Sequence, residues 1–338
     1  MNSALSCLEI CAGAGGQSLG LENAGFFHEL AVEIDPDACQ TLRLNRGREF
    51  HPAAWEIYEG DVREVSGREY RGQLALIAGG VPCPPFSIAG KQLGREDERD
   101  LFPEALRLVA EARPEAVMLE NVRGLASEKF TPYREEIQAR LDALGYWSDW
   151  KVLNASEFGL AQLRPRFILV ALRRKYRRRF KWPQGSDSPR TVGETLYDMM
   201  AENMWPGAKH WADARANDVG PTLVGGSRKH GGPDLGPTRA RAAWLQLGVD
   251  GRALANEAPD HLTDPMHTPR LTLQMAAALQ GFPPEWAFHG RKTAAYRQIG
   301  NAFPPPVAEA VGGAIVEALG MGAVRLPSAP GDREACSA

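Results

Sequence analysis

Residues 6–24 read SCLEICAGAGGQSLGLENA, and this stretch decides the fold. Ser6–Ile10 is short and rich in aliphatic residues, which predicts a buried strand, and residues 17–24 have the apolar spacing of a helix. The glycines between them let the backbone turn tightly and approach a ligand, while the first N–H groups of the helix stay free to bind it. The stretch therefore predicts the first βα unit of an open sheet with a ligand at its turn.

Two carboxylates strengthen the prediction of a ligand site. The glycine spacing is similar to a dinucleotide fingerprint but departs from it, because Ser18 stands where the third glycine belongs. Glu33 follows at the end of a second predicted strand and suits ribose hydroxyls, and Asp61 ends the next segment after Gly60. The alternative is a tight βα turn and two helix-capping carboxylates.

The same alternation of strands and helices continues to residue 172. Short apolar runs predict strands at residues 6–10, 30–34, 74–77, 116–119 and 167–172. Helical apolar spacing occurs at residues 17–24, 36–45, 102–111 and 133–144. The pattern predicts a Rossmann-like, doubly wound α/β domain whose ligands bind at the carboxyl ends of the strands.

Beyond this domain the sequence changes character. Residues 181–264 are rich in Gly, Pro and Trp with weak periodicity, which indicates a second, smaller and irregular domain. Helical pattern returns at residues 272–279 and 306–319, and the polar end of the chain is typical of disorder. We therefore expect a catalytic domain at 1–182, a recognition domain at 183–285, a returning segment at 286–322 and a disordered tail at 323–338.

Composition bounds the class of protein. The 338 residues are 43% hydrophobic and 24% charged, which is ordinary globular composition. The chain has neither an apolar run long enough for a membrane span nor a signal-like start, so we expect a cytoplasmic protein. Five cysteines without a CxxC pair disfavour a disulfide framework and a zinc site, and no metal is expected. The net charge of −3 by itself disfavours a nucleic-acid partner.

A reactive centre is predicted where several strands end. Cys83 lies between Pro82 and Pro84 directly after a predicted strand, in a context that suits a nucleophilic thiolate. Glu120 follows the next strand. The chain also carries arginines at alternate positions, which would share one face of an extended segment: Arg164 and Arg166. The plainer alternatives are a buried thiol, a helix cap and surface charge.

The order of these elements resembles the DNA cytosine-5 methyltransferase family from Leu8 to about Ala318. The matching motifs, in family order, are residues 11–16, Glu33, Asp61, Pro82-Cys83, Glu120-Asn121-Val122, Gln162-x-Arg164-x-Arg166, residues 270–283 and residues 298–302. The chain departs from the family pattern at three positions, with Pro84 in place of Gln, Cys11 in place of Phe and Met275 in place of Glu.

The resemblance implies S-adenosylmethionine as the cofactor and double-stranded DNA as the substrate. Cys83 would add to C6 of cytosine, Glu120 would act at N3, and Arg166 would bind O2 with Arg164 in support. A stacked base is out of reach, so the target nucleotide would be flipped out of the duplex. A restriction endonuclease acting on the same site is an expected partner, and a monomer is the expected state.

The resemblance also assigns binding residues. Those expected to bind the cofactor are Cys11, Ala12, Gly13, Gly15, Gly16, Glu33, Ile34, Asp61, Val62, Pro82, Leu101, Asn301 and Ala302. Those expected to bind DNA are Ser87, Lys91, Gln92, Thr222, Gly225, Gly226, Ser227, Arg228, Lys229 and His230. The first three DNA-binding residues lie in a stretch similar to the family's mobile loop, and the others in the gap that holds its recognition domain. An ordinary surface loop and a flexible linker are the alternatives.

Other functions stay open at this point. An RNA cytosine-5 methyltransferase uses the same chemistry on the base, and a catalytically decayed DNA-binding homologue would keep the fold. The basic run at residues 173–181 is expected to lie at the domain junction and to face DNA. If it does, the negative net charge is an average over a basic face and an acidic face, and it does not exclude DNA as a partner.

Overall fold

The computed structural model describes residues 5–47, 55–82, 100–226 and 232–320. Predicted site residues outside these ranges are Cys83, Ser87, Lys91, Gln92, Ser227, Arg228, Lys229 and His230, and the tail also lies outside them. The strands are β1 (Ser6–Ile10), β2 (Phe27–Glu33), β3 (Glu56–Glu59), β4 (Leu76–Gly80), β5 (Ala116–Val122), β6 (Tyr146–Asn154), β7 (Gln162–Leu163), β8 (Pro165–Arg173) and β9 (Gly220–Pro221).

Ten helices accompany these strands within the described ranges. They are α1 (Gly16–Asn23), α2 (Pro36–Asn45), α3 (Phe102–Ala112), α4 (Thr131–Ala143), α5 (Val192–Ala201), α6 (Ala208–His210), α7 (Thr238–Gln246), α8 (Leu273–Gln280), α9 (Lys292–Asn301) and α10 (Pro305–Leu319). None of them is both long and apolar enough to cross a membrane.

Seven strands form one sheet in the order β3-β2-β1-β4-β5-β8-β6. Strands β3, β2, β1, β4 and β5 are parallel, whereas β8 runs antiparallel between β5 and β6. The chain order reverses at β1, whose neighbours are β2 and β4, so the carboxyl ends of β1 and β4 form the switch point where ligands bind in such sheets. The predicted α/β fold is confirmed.

Local signals explain the elements that the sequence predicted well. Strand β1 is buried along its whole length. Helix α2 begins where Asp35 accepts a hydrogen bond from the Asp37 N–H and Pro36 takes the first helical position, which are two standard start signals. Helix α10 packs closely on α1. A Cβ on Gly20 of α1 would lie 2.3 Å from the Pro305 carbonyl oxygen, so this contact needs glycine.

Several elements gave weaker signals. Strand β6 lies at the edge of the sheet and is only partly buried, so polar residues interrupt its apolar pattern. Helices α5 and α7 lie within residues 181–264, where the sequence indicated mainly loops. Helix α5 does carry a capping box, in which Thr191 and Glu194 each bond the other's backbone N–H.

Three tryptophans of residues 183–264 build a second core. Trp205, Trp211 and Trp244 are buried together with α5, α8 and α9. Met275 belongs to this core, and its Sδ accepts a hydrogen bond from the Thr272 N–H at 3.4 Å. The sulfur therefore takes the capping position at which the family usually has Glu, and the start of α8 keeps its cap.

The basic run does not lie where the sequence predicted. Because β8 is antiparallel, Arg166 pairs with Val122 at the carboxyl edge of the sheet, and Leu172 pairs with Ala116 at the opposite edge. Arg173 and the residues after it therefore begin at the edge that faces away from the switch point. The run therefore does not begin beside the cleft, where a run that faces DNA was expected.

Candidate active site

A cleft of about 400 Å³ opens at the carboxyl ends of β1, β2, β4 and β5. Its walls also include the end of α9 and a glycine from the segment that follows β9. The lining residues are Glu9, Cys11, Ala12, Gly13, Ala14, Gln17, Glu33, Asp35, Ala38, Gly80, Glu120, Gly226, Arg297, Gln298, Asn301, Ala302 and Phe303.

The turn after β1 takes a conformation that suits close approach to a ligand. Gly13 and Gly15 have φ of 57° and 84°, and Cys11 has φ of 53°, a left-handed value that is uncommon outside glycine. A Cβ on Gly16 would lie 2.3 Å from the Phe303 carbonyl oxygen, so the start of α1 needs glycine to pack on the chain after α9. Sequence and packing together hold this turn open toward the cleft.

Glu33 fixes the turn and faces the cleft. Its Oε2 accepts a hydrogen bond from the Gly13 N–H at 2.7 Å, and its Oε1 accepts from the backbone of Ile34 and Asp35. Burial raises the pKa of Glu33, and these backbone donors only partly offset it. Oε2 has a single partner among the described residues and keeps capacity for a further donor, such as a ribose hydroxyl.

Asp61 matches the plainer of its two sequence interpretations. It caps a short 3₁₀ turn by accepting from the Arg63 N–H at 2.9 Å, and it pairs with the Arg63 guanidinium at 2.8 Å. It does not line the cleft. Ile34 also lies outside the lining, but its side chain is 65% exposed next to Glu33.

Two polar residues that the sequence analysis missed point to a ligand. Glu9 and Gln17 line the cleft and are 0% and 3% exposed. Glu9 Oε1 and both polar side-chain atoms of Gln17 have no hydrogen-bond partner among the described residues. An orphaned buried polar group costs about 1–3 kcal/mol, so a ligand that carries donors and acceptors is favoured here.

The predicted cofactor residues divide into two groups. Cys11, Ala12, Gly13, Glu33, Asn301 and Ala302 line the cleft. The others are not part of its lining: Gly15, Gly16, Ile34, Asp61, Val62, Pro82 and Leu101.

Glu120 lines the cleft and forms an ion pair with Arg166. Glu120 pairs with Ile168 across the sheet, so the side chain of Arg166, two residues earlier on β8, reaches it diagonally on the same face. Arg166 Nε lies 2.7 Å from Glu120 Oε1, and the two side chains are 10% and 13% exposed. Burial raises the pKa of Glu120, which Arg166 and then Arg164 only partly offset.

Arg164 is held by backbone carbonyl oxygens. It precedes β8, and its guanidinium donates to the carbonyl oxygens of Leu223 at 2.8 Å, Gly300 at 2.7 Å and Ala302 at 2.9 Å. It makes no ion pair with a carboxylate among the described residues. These contacts make Arg164 a brace between β8, the segment after β9 and α9, and its place on one face with Arg166 stays a prediction.

The described residues on either side of the segment that contains Cys83 lie close together. The Leu101 N–H donates to the Pro82 carbonyl oxygen at 3.3 Å. Asn121 ties this point to β5, because its side-chain amide donates to the Val81 carbonyl oxygen at 2.7 Å. Pro82 thus directly follows β4 beside the carboxyl end of β5.

The described part of the predicted DNA-binding segment packs against the cleft. Thr222 bonds the Leu163 carbonyl oxygen, and Asn301 donates to the Gly226 carbonyl oxygen at 3.1 Å. A Cβ on Gly225 would lie 2.5 Å from the Arg297 carbonyl oxygen. Residues 222–226 are therefore held by β7 and α9, which disfavours a flexible linker at these positions.

Comparison with known proteins identifies the family to which the chain belongs. Residues 5–317 match the family model for C-5 cytosine-specific DNA methylase. The chain belongs to this family. It is 54% identical over 321 residues to the type II methyltransferase M.NaeI of Lentzea aerocolonigenes, a match that covers 94% of the chain and 76% of that protein. It is 52% identical over 320 residues to M.NgoMIV of Neisseria gonorrhoeae, covering 92% of the chain and 97% of the relative.

Solved structures agree with the methylase fold. A DNMT2 variant from Spodoptera frugiperda superposes with a TM-score of 0.63 at 15% identity, covering 92% of this methylase and 99% of that chain. At this identity the likeness concerns the fold alone. The family match over residues 5–317 makes the chain a DNA (cytosine-5)-methyltransferase.

Proposed function

We propose that the chain transfers a methyl group from S-adenosylmethionine to C5 of a cytosine in a specific duplex DNA sequence. The observation that carries the proposal is the buried Glu120–Arg166 pair, which lies beside a cleft lined by unpartnered polar atoms. The family match and the relatives named as type II methyltransferases support DNA as the substrate. A restriction endonuclease that cuts the same site is the partner this class implies.

The cofactor would be held by the turn after β1, by Glu33 and by the end of α9. When bound, S-adenosylmethionine supplies an electrophilic methyl group on its sulfonium. Glu9 Oε1 would accept from an ammonium donor, and Gln17 would pair with a carboxylate. Glu33 Oε2 would accept from a ribose hydroxyl while it keeps its bond to the Gly13 N–H.

The target cytosine would be flipped out of the duplex and enter the same cleft. The Cys83 thiolate would add to C6, which raises the electron density at C5, and it would leave after C5 has been methylated and has lost its proton. Glu120 would hold a proton at N3, a role that suits a carboxyl group with a raised pKa. Arg166 would stabilise the charge that develops at O2.

Methyl transfer in a host cell tests the proposal. Genomic DNA from cells that express the chain is sequenced for 5-methylcytosine, and we expect one recurring sequence context. The Cys83→Ser variant should leave genomic DNA unmethylated while the purified protein still binds duplex DNA. Full methylation by this variant would contradict the covalent route, and preferential methylation of transfer RNA over duplex DNA would contradict the substrate.

A further inference from the structure

A cluster of exposed cations lies on the side of the sheet away from the cleft. Its members, here called the rear basic surface, are Arg174, Lys175, Arg177, Arg178, Arg179 and Lys181. Seven residues of β8 lie between Arg166 and Arg174, a span of roughly 26 Å at about 3.3 Å per residue. No residue of this surface lines the cleft.

The surface carries surplus positive charge. Arg174 pairs with Asp142 at 2.6 Å, and Lys175 pairs with Glu115 at 2.8 Å. The other four cations make no ion pair with a described residue.

The chemistry of the surface favours the phosphate backbone of a duplex. The Arg177 guanidinium lies 5.9 Å from the centre of the Trp147 ring, and Lys175 Nζ lies 4.6 Å from that of Tyr176, so cations cover these rings. Unpaired bases need open ring faces for stacking. Among the described residues, the exposed large hydrophobic side chains include none from 173–182, so an apolar anchor for a membrane is absent there.

We propose that the rear basic surface binds a second segment of duplex DNA, without reading its sequence, while the cleft holds the first. Duplex DNA is stiff over about 150 base pairs, so one short duplex does not reach both edges of the sheet. The second segment is therefore a separate duplex or a distant part of a long one. Contacts of this kind let a protein move between DNA segments without release into solution.

A capture experiment with the full chain tests the proposal. A short biotinylated duplex is immobilised and saturated with protein, and a fluorescent duplex of unrelated sequence is then added. The wild type should retain the fluorescent duplex. A variant with Arg177→Ser, Arg178→Ser and Arg179→Ser should retain at least about tenfold less of the fluorescent duplex. The slope of the logarithm of the binding constant against the logarithm of the salt concentration should become shallower by roughly three. The matched variant with lysine at the same three positions keeps the charge and should retain capture.

Methyl transfer to a short duplex is measured on the same proteins and should be equal in all three, because the surface lies far from the cleft. Wild-type protein that captures no second duplex would overturn the proposal, and so would equal capture by the serine variant. Capture that persists in a preparation without methyl transfer would support this proposal and contradict the proposed function, so the two failures are distinct.

Discussion

Arg166 Nε lies 2.7 Å from Glu120 Oε1, and this ion pair joins β8 to β5 where Glu120 lines the cleft. The second carboxylate oxygen faces Gly80, where a Cβ would lie 3.4 Å from Glu120 Oε2. Glycine at this position leaves space above the carboxyl group. Glu120 thus has one oxygen committed to Arg166 and one that faces Gly80 in the lining of the cleft.

The Glu120→Gln variant should lose catalysis and keep its fold. The amide oxygen still accepts from Arg166, but the amide does not give a proton to N3, so we expect single-turnover methyl transfer to fall about 10²- to 10⁴-fold. The control is Glu135→Gln on the exposed face of α4, which should react at the wild-type rate. A rate for Glu120→Gln equal to that of the control would remove Glu120 from the mechanism.

Lysine substitutions should distinguish the roles of Arg164 and Arg166. Arg164→Lys leaves one ammonium to serve three buried carbonyl oxygens that a guanidinium fork reaches together, so we expect the free energy of unfolding to fall by about 2–3 kcal/mol. Arg166→Lys keeps a charge beside Glu120 and should mainly slow methyl transfer. Denaturant unfolding and single-turnover rates of both variants check this, and equal stability of the two would refute the bracing role.

Some features were readable because they depend on neighbours in sequence. Helix α2 was predicted from residue 36 to residue 45, as the structure has it, because its start is encoded by Asp35 and Pro36. Glu9 was missed although a signal existed, since a carboxylate within a fully buried strand needs a partner or a ligand.

Other features depend on strand direction, which the sequence does not state. An alternating βα pattern predicts parallel strands, and that direction places residue 173 at the cleft. Strand β8 is antiparallel, so its first residues reach the cleft and the basic run lies at the far edge. Arg164 differs from Arg166 for a local reason, because it precedes Pro165, the first residue of β8, and its guanidinium reaches α9.

Gly300 should tolerate no side chain, unlike a glycine one helix later. A Cβ on Gly300 would lie 2.4 Å from the Gly225 nitrogen, which is backbone and cannot move aside without separating residues 222–226 from α9. We expect Gly300→Ala to weaken S-adenosylmethionine binding and lower stability by about 1–3 kcal/mol. The control Gly313→Ala adds a Cβ in open space on α10 and should stabilise slightly. Calorimetric titration and thermal unfolding measure both, and unchanged affinity in Gly300→Ala would contradict the packing argument.

Below the cleft, His28 links buried groups from two elements. Its Nε2 lies 2.8 Å from Glu9 Oε2 on β1, and its Nδ1 lies 3.4 Å from Glu22 Oε1 on α1. Cys7 on β1 is a further titratable neighbour, and the Trp55 ring centre lies 5.1 Å away. Burial by itself lowers the pKa of His28, but Cys7, Glu22 and Glu9 outweigh it and hold the pKa well above the usual range.

This raised pKa predicts a stability that declines at alkaline pH. A histidine whose folded pKa exceeds its unfolded value of about 6.5 contributes its full stabilisation below that pH and loses it as pH rises through the folded pKa. Urea unfolding of the wild type from about pH 6 to about pH 9 should show this decline. In His28→Gln the decline should flatten, whereas the exposed His210→Gln should follow the wild type. Cys7→Ala removes the thiol, whose own pKa is raised by burial, and so shows how much of the pH dependence of stability the thiol contributes. Parallel curves for His28→Gln and wild type would show that His28 does not carry the pH dependence.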